Sequence, residues 1–318
     1  MTTQSKSLQS TSARFPDFFL AGAPKCGTTS IATYLSQYDS VFFPTPREVT
    51  AHGSDLTYLR GPHAEGFNRE DYLSRFSTAG TQQIIGASPV WSLYSRNAFS
   101  EIKADAPEAR IVISLREPVS FLKAVFAQLV YSANETLPSL WDALQAEEAR
   151  RRGEGLPEGL TILQSVFYRE LPLFSEQVQR AYDSFGRDHV QVHLLDDIVR
   201  RPREVEGKLC TFLGLSRDPA LALENANPRR TTRSDTLNRL IRRPPPILKT
   251  LAKVAPRDLR RNVYQQIKKA NTVYVDKSER TSPEAREVDL RKAYVNEVDR
   301  LSALIGRDLS AWKSGQMI

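Results

Sequence analysis

The sequence predicts an α/β protein of three layers, in which a central parallel sheet is flanked by helices on both faces. Short apolar segments alternate along the chain with segments of helical periodicity, as in repeated strand–helix–strand units. The segment 110–115 is apolar at nearly every position, which is typical of a strand buried on both faces of a parallel sheet. With 318 residues, 40% of them apolar, the chain is long enough for one large domain.

Five segments are predicted as strands of this sheet. In chain order they are Phe18–Gly22, Val41–Phe43, Gln83–Ala87, Arg110–Leu115 and Val190–Leu195. Ligands of parallel α/β sheets bind beyond the carboxyl ends of the strands. The loops that follow these strands should therefore meet at one edge, and they contain Lys25, Glu48, Ser88, Arg116 and Asp196.

Helical periodicity, capping residues and prolines predict the connecting helices. One begins at Thr28 and another at Pro118, and the others are predicted over Glu70–Phe76, Asn97–Ala106, Ser139–Arg151, Tyr168–Phe185, Arg203–Leu213 and Pro283–Ile305. Residues 1–14 are polar and are expected to form a disordered tail. Residues 15–318 are expected to form a single domain, with a basic helical part from about residue 225.

Positive charge is concentrated late in the chain. The net charge is +7, and the segment 229–269 alone carries 13 Lys and Arg against two Asp. This predicts either a peripheral contact of the basic segment with an anionic surface or a solvated helical face. Nucleic acid is not expected as a partner, and the oligomeric state stays open. Two cysteines and no apolar leader favour a cytoplasmic protein.

The chemistry is expected at the stretch 18–30, where a strand is followed by a glycine-containing loop and the start of a helix. Backbone N–H groups and the positive end of the helix dipole make this arrangement suitable for binding phosphate. Gly22 and Gly27 have the spacing of a Walker A loop. Thr28 stands where that motif requires lysine, and the lysine lies earlier, at Lys25, which suits a different phosphorylated ligand.

The segment Pro24, Lys25, Cys26, Gly27, Thr28, Thr29 and Ser30 resembles the 5′-phosphosulfate loop of sulfotransferases that use 3′-phosphoadenosine 5′-phosphosulfate (PAPS), in particular the bacterial type. The resemblance implies a P-loop NTPase-like sulfotransferase fold. It also implies that these seven residues bind PAPS, that 3′,5′-adenosine bisphosphate is the product, and that no metal is needed. Lys25 would stabilise the leaving phosphate.

A second segment, 110–131, resembles the family's 3′-phosphate site. Arg116 matches the arginine after the strand, but Ala124 stands where the family has a serine. Either Ser120 or Lys123 would then supply the missing contact. A basic loop at the family's late adenosine-binding position adds the candidates Arg229, Arg230 and Arg233.

The resemblance also implies a general base in the loop after the second strand. Glu48 matches the glutamate of the carbohydrate-modifying branch, and His52 is the rival, because the cytosolic branch uses histidine. The acceptor is expected to be a small molecule, a saccharide or a lipid that offers a hydroxyl or amine. Its candidate contacts are Ser88, Trp91, Tyr94 and Tyr168.

Two other functions compete with sulfuryl transfer. A P-loop nucleotide kinase would need a carboxylate for Mg²⁺ after a strand, and Asp196 and Asp197 occupy such a position. A non-catalytic protein of the same fold would use the basic segment to bind an anionic partner.

Overall fold

The computed structural model describes residues 14–45, 51–60, 68–81, 83–224, 230–232, 272–274 and 285–318. Within these ranges a sheet of five strands forms the centre, and its members are β1 (Phe18–Gly22), β2 (Val41–Phe42), β3 (Ile84–Ala87), β4 (Arg110–Leu115) and β5 (Val190–Leu194). The order is β2-β3-β1-β4-β5, and every neighbouring pair is parallel. The predicted sheet is thus confirmed to within one residue at each strand end.

Helices cover both faces of this sheet. In the described ranges they are α1 (Thr28–Leu35), α2 (Arg69–Ser74), α3 (Ala98–Asp105), α4 (Pro118–Tyr131), α5 (Leu140–Gln145), α6 (Glu147–Arg151), α7 (Phe174–Phe185), α8 (Leu195–Arg200), α9 (Pro202–Leu213), α10 (Ala285–Ala293), α11 (Val295–Ile305) and α12 (Ser310–Lys313). None of them has both the length and the apolar character needed to cross a membrane.

The core lies in two layers, one on each side of the sheet. Strand β1 shows this directly, because Phe19 and Ala21 belong to one buried cluster while Phe18 and Leu20 belong to the other. Alternate residues of a strand point to opposite faces, so both faces of β1 are buried. This is the three-layer arrangement that the apolar strands predicted.

Three of the predicted helices differ from the structure. The helix expected over Tyr168–Phe185 begins only at Phe174, since Pro172 lacks an N–H and disfavours helical geometry at the residue before it. The helix expected over 139–151 is divided at Ala146, and the last predicted helix is divided at Tyr294. Periodicity alone does not reveal such breaks, because the apolar faces continue across them.

The basic part of the chain contains a strand pair that the sequence did not predict. β6 (Arg230–Thr232) pairs antiparallel with β7 (Thr272–Tyr274). β6 also lies close to α4, the helix that follows Arg116. A part of the chain expected to be helical therefore contributes an extended pair of strands that approaches α4.

Candidate functional site

The phosphate loop, defined here as residues 23–27, joins β1 to α1 and is held from both sides. The N–H of Ala23 donates to the carbonyl of Ser114 in β4 at 2.7 Å, and the Ser114 hydroxyl donates to the carbonyl of Cys26. On the other side, the N–H of Leu93 donates to the carbonyl of Ala21 at 2.8 Å. The loop is thus anchored to the central strand and to the turn after β3.

Two glycines allow the chain to pass through this crowded region. Gly22 has φ of +147°, and a Cβ there would lie 2.6 Å from the carbonyl oxygen of Val90. Gly27 has φ of +96° and immediately precedes α1, and its Cβ would lie 3.0 Å from a methyl group of Ile198. Both positions combine positive φ with close packing, which only glycine accommodates without strain.

One cation, Lys25, lies within the phosphate loop, and a second, Arg116, acts on it from outside. Lys25 adopts a left-handed backbone with φ of 64°, and its Nζ donates to Oε1 of Gln128 at 3.3 Å. Arg116 follows the end of β4 directly. Burial raises the pKa of the Cys26 thiol to about 12, while the positive charges of Arg116 and Lys25 act to lower it. Both cations therefore reach the loop electrostatically, and Cys26 itself is a buried, protonated thiol.

The start of α4, where the 3′-phosphate site is predicted, is capped by a carboxylate. The Glu117 carboxylate accepts from the N–H groups of Val119 and Ser120 at 3.1 and 2.6 Å. It also lies 3.4 Å from Nε of Arg291 in α10. This carboxylate caps the helix that begins next to Arg116.

The two candidate substitutes for the absent serine differ in their surroundings. Lys123 donates to the Glu287 carboxylate of α10, so its charge is already compensated by an ion pair. Ser120, Ala124 and Gln128 are spaced by four residues and therefore share one face of α4. Because Gln128 contacts Lys25, this face leads from the phosphate loop toward the start of α4, where Ser120 lies.

Three of the predicted acceptor contacts lie in the turn after β3. Ser88 is buried, while Trp91 and Tyr94 are half-buried. The Tyr94 hydroxyl donates to Glu170 at 2.8 Å. The turn packs directly against Gly22, since the carbonyl oxygen of Val90 leaves no room there for a Cβ. These side chains therefore come from the segment adjoining the phosphate loop.

The structure does not support Tyr168 as an acceptor contact. Its side chain is fully buried, and its hydroxyl donates to Glu135 at 2.9 Å. The same carboxylate receives two hydrogen bonds of 2.8 Å from the buried guanidinium of Arg150. Tyr168 thus completes a buried polar cluster in the core and has no surface to offer a ligand.

His52 is likewise a structural residue. It is 4% exposed, its Nε2 lies 3.1 Å from the Asp105 carboxylate, and the rings of Phe19 and Tyr72 pack edge-on against it. Burial lowers its pKa, although the contact with Asp105 opposes that shift. Asp105 ends α3, shortly before β4 begins, so His52 lies toward the amino ends of the strands. The phosphate loop is at the opposite edge.

Some candidates fall outside the described residues. These are Glu48, Arg229 and Arg233, and for Arg230 only the backbone in β6 is described. Two residues that the sequence did not single out belong to the site. Ser114 is a lone hydroxyl inside an apolar strand, and Gln128 repeats the spacing of Ser120 and Ala124. These two sequence patterns could have identified Ser114 and Gln128 as site residues.

The acidic pair after β5 has structural partners. Asp196 accepts from the indole N–H of Trp312 at 3.0 Å, and Asp197 pairs with Arg201 and, at 2.9 Å, with Arg307. The Arg307 and Arg201 hydrogen bonds hold the pKa of Asp197 low despite its burial, which alone would raise it. In the ranges that the structure describes, no cluster of three His, Cys, Asp or Glu residues could hold a metal ion.

The parallel sheet and the phosphate loop define an α/β protein of the phosphate-loop class. The chain is 26% identical over 174 residues to carbohydrate sulfotransferase 15 of Mus musculus, covering 42% of this chain, and to the same degree to that of Homo sapiens. It spans 31% of the length of these curated relatives. No family model matches.

The solved structures give a broader likeness. A sulfotransferase from Alicyclobacillus acidocaldarius superposes with a TM-score of 0.66 and 26% identity, covering 94% of this chain and 99% of the other. The chain therefore resembles the sulfotransferase family in sequence, and its α/β architecture is the sulfotransferase fold. The family resemblance and the fold class expected from the sequence are both confirmed.

Proposed function

We propose that this protein is a sulfotransferase that moves the sulfuryl group of PAPS to a hydroxyl or amine of a small molecule, sugar or lipid. The observation that carries the proposal is the phosphate loop itself, which contains Lys25, is anchored to β4 by the Ser114 hydroxyl, and leads directly into α1, while Arg116 follows the end of β4. A glycine loop and helix start with two nearby cations provide a binding site for a nucleotide that carries several anionic groups. The fold likeness to a bacterial sulfotransferase supports this choice.

In the proposed reaction the acceptor oxygen attacks sulfur in line with the oxygen that bridges to the 5′-phosphate. The bond from sulfur to that bridging oxygen breaks, and its electron pair remains on the phosphate of 3′,5′-adenosine bisphosphate. Lys25 offsets the charge that develops there, which is where a fixed cation stabilises the transition state most. By the resemblance, Arg116 binds the 3′-phosphate, and Ser120 lies on the helix face leading toward it.

The acceptor must lose a proton to a general base. Glu48 is our candidate, by its match to the carbohydrate-modifying branch of the family, and the burial of His52 against Asp105 supports choosing Glu48 over the histidine. Ser88, Trp91 and Tyr94 are candidate acceptor contacts because their turn adjoins the start of the phosphate loop. Both cysteines are free and buried, which supports a reducing compartment such as the cytoplasm.

A nucleotide kinase is the second candidate function. It would need free carboxylates for Mg²⁺, and the contacts of the candidate carboxylates argue against that. The carboxylates that it would use for Mg²⁺ are Asp196 and Asp197, which hold Trp312, Arg201 and Arg307. Freeing Asp196 would leave the buried indole N–H of Trp312 without its partner, at a cost of about 1–3 kcal/mol.

The test compares ligands and then turnover. We expect 3′,5′-adenosine bisphosphate to raise the melting temperature of the purified chain more than ATP with Mg²⁺ does. Radiolabelled PAPS should then transfer its sulfuryl group to at least one member of an alcohol, phenol, amine and sugar panel, or to water. Stabilisation by ATP with Mg²⁺ alone, with no sulfuryl transfer, would instead favour the kinase.

A further inference from the structure

We propose that Gln128 is the positioning residue for Lys25, holding the ammonium group between the phosphate loop and α4 through a neutral acceptor. The contact itself is the hydrogen bond of 3.3 Å from Lys25 Nζ to Gln128 Oε1, across a sequence separation of 103 residues. Its catalytic consequence rests on the proposed function, whereas the positioning of the side chain does not.

The backbone and the side chain of Lys25 are ordered in different ways. Its φ of 64° places a non-glycine residue in the left-handed region, which is uncommon for such residues and is maintained only by its surroundings. The long lysine stem also has large rotamer freedom, and ordering it costs up to about 2 kcal/mol. A hydrogen bond at the end of the stem restricts this rotamer freedom before any ligand binds, while the loop's own hydrogen bonds hold the backbone.

The neutrality of the amide matters as much as its position. Lys123, on the same helix, is paired with the carboxylate of Glu287, which compensates its charge. The amide of Gln128 accepts a hydrogen bond from Lys25 and brings no negative charge of its own. The ammonium can therefore act on the leaving phosphate without competing against this partner.

Gln128 also connects the two anion sites. It shares a face of α4 with Ser120 and Ala124, and the helix begins just after Arg116. Gln128 and Ser120 are thus parts of one helix, and the predicted 3′-phosphate anchor Arg116 lies two residues before its first residue.

Three variants test the proposal. Gln128→Leu removes the acceptor at similar volume, and Gln128→Glu keeps an acceptor but adds charge. Gln179→Leu is the matched control, since Gln179 is exposed on α7 and bonds only locally to Asp183. Two readouts are used. One is the rate of Lys25 labelling by an amine-reactive reagent, measured by mass spectrometry relative to the exposed Lys208 of the same molecule. The other is kcat and KM for PAPS.

We expect Gln128→Leu to accelerate the labelling of Lys25 several-fold relative to Lys208. Its kcat should fall roughly ten-fold or more, the scale of one lost hydrogen bond to a charged group, with KM for PAPS changing less than about three-fold. Gln128→Glu should label as slowly as the wild type and still lose kcat, because its carboxylate compensates the ammonium charge. The control variant should match the wild type in every readout.

Unchanged labelling in Gln128→Leu would overturn the proposal, because the amide would then not be holding the lysine. A loss of kcat in Gln128→Leu with wild-type labelling would overturn it as well. The labelling needs no sulfate donor, so it decides the positioning role even if the wild-type chain transfers no sulfuryl group. In that case the proposed function would fail while the contact with Gln128 could still stand.

Discussion

The proposed donor side and the proposed acceptor side of this site are built in different ways. The donor side consists of the phosphate loop with its β4 anchor, and most of its residues come from two continuous stretches that each join a strand to a helix. The proposed acceptor side, the turn after β3 that carries Trp91 and Tyr94, is tied to distant segments of the chain. Asp55 accepts from the hydroxyl of Ser95 and from backbone N–H groups of the following two residues, and residues 57–59 hydrogen-bond to residues 161–163.

This difference shows what each side requires of the chain. A phosphate is held by backbone N–H groups and one or two cations, so a short motif of the correct geometry suffices. A surface for an organic acceptor depends on shape, and shape arises where separate segments pack together. Substitutions on the two sides should therefore have separable effects.

The largest effect is expected for Lys25→Ala. Turnover with PAPS should fall about 10²–10³-fold, the scale for one preorganised electrostatic donor, while 3′,5′-adenosine bisphosphate still binds. Steady-state kinetics and calorimetry measure the two quantities. Lys208→Ala, at an exposed position of α9, is the control and should leave both unchanged. Near wild-type turnover of Lys25→Ala would refute the assignment of the donor side.

Arg116→Ala should separate the two phosphates of the nucleotide. The Kd for 3′,5′-adenosine bisphosphate should rise roughly 10- to 100-fold, as for the loss of a charged hydrogen bond. The Kd for 5′-AMP, which lacks the 3′-phosphate, should change little. Arg110→Ala is the matched control, because Arg110 is exposed at the opposite end of the same strand. Equal weakening of both ligands would show that Arg116 does not bind the 3′-phosphate.

Acidification should destabilise the protein through His193 of β5. Burial lowers the pKa of His193 to about 4 from an ordinary value of 6.5, so between these values the unfolded chain binds more protons. Its stabilising contribution is complete above the ordinary value and declines as the pH falls. From pH 7 to pH 5 the free energy of unfolding should drop by about 2 kcal/mol from this group.

Urea denaturation at the two pH values measures that drop, and the His193→Gln variant isolates the share due to this histidine. The variant should lose less stability between pH 7 and pH 5 than the wild type does. An equal loss in both proteins would assign the pH dependence to other groups, His52 among them, since burial lowers its pKa too.

The smallest effects come from a pair of matched changes, one on each side of the site. Ser114→Ala and Asp55→Asn each remove hydrogen bonds that order a loop, so each should cost about 1 kcal/mol of stability or somewhat more. Only Ser114→Ala should weaken 3′,5′-adenosine bisphosphate, because Ser114 anchors Cys26 of the phosphate loop. If Asp55→Asn weakened the nucleotide equally, the two sides would not be separable.

Much of the donor side could be predicted from the sequence alone. Local patterns predict the five parallel strands, the phosphate loop, Lys25 and Arg116. Each of these patterns, an apolar run, a glycine spacing or the residue after a strand, spans only a few neighbouring positions. The sequence also shows that Ala124 occupies the position where the family has a serine. Glu48 stays a prediction from sequence, since it lies outside the described residues.

Only the tertiary structure decided the roles that depend on partners far along the chain. His52 and Tyr168 are suitable residue types for a site, yet Asp105 and Glu135 make them structural. Ser114 and Gln128 looked ordinary, yet their contacts with Cys26 and Lys25 make them part of the donor side. The physical reason is that a side chain's chemistry is set by its burial and its hydrogen-bond partner, and folding brings that partner from a distant part of the sequence.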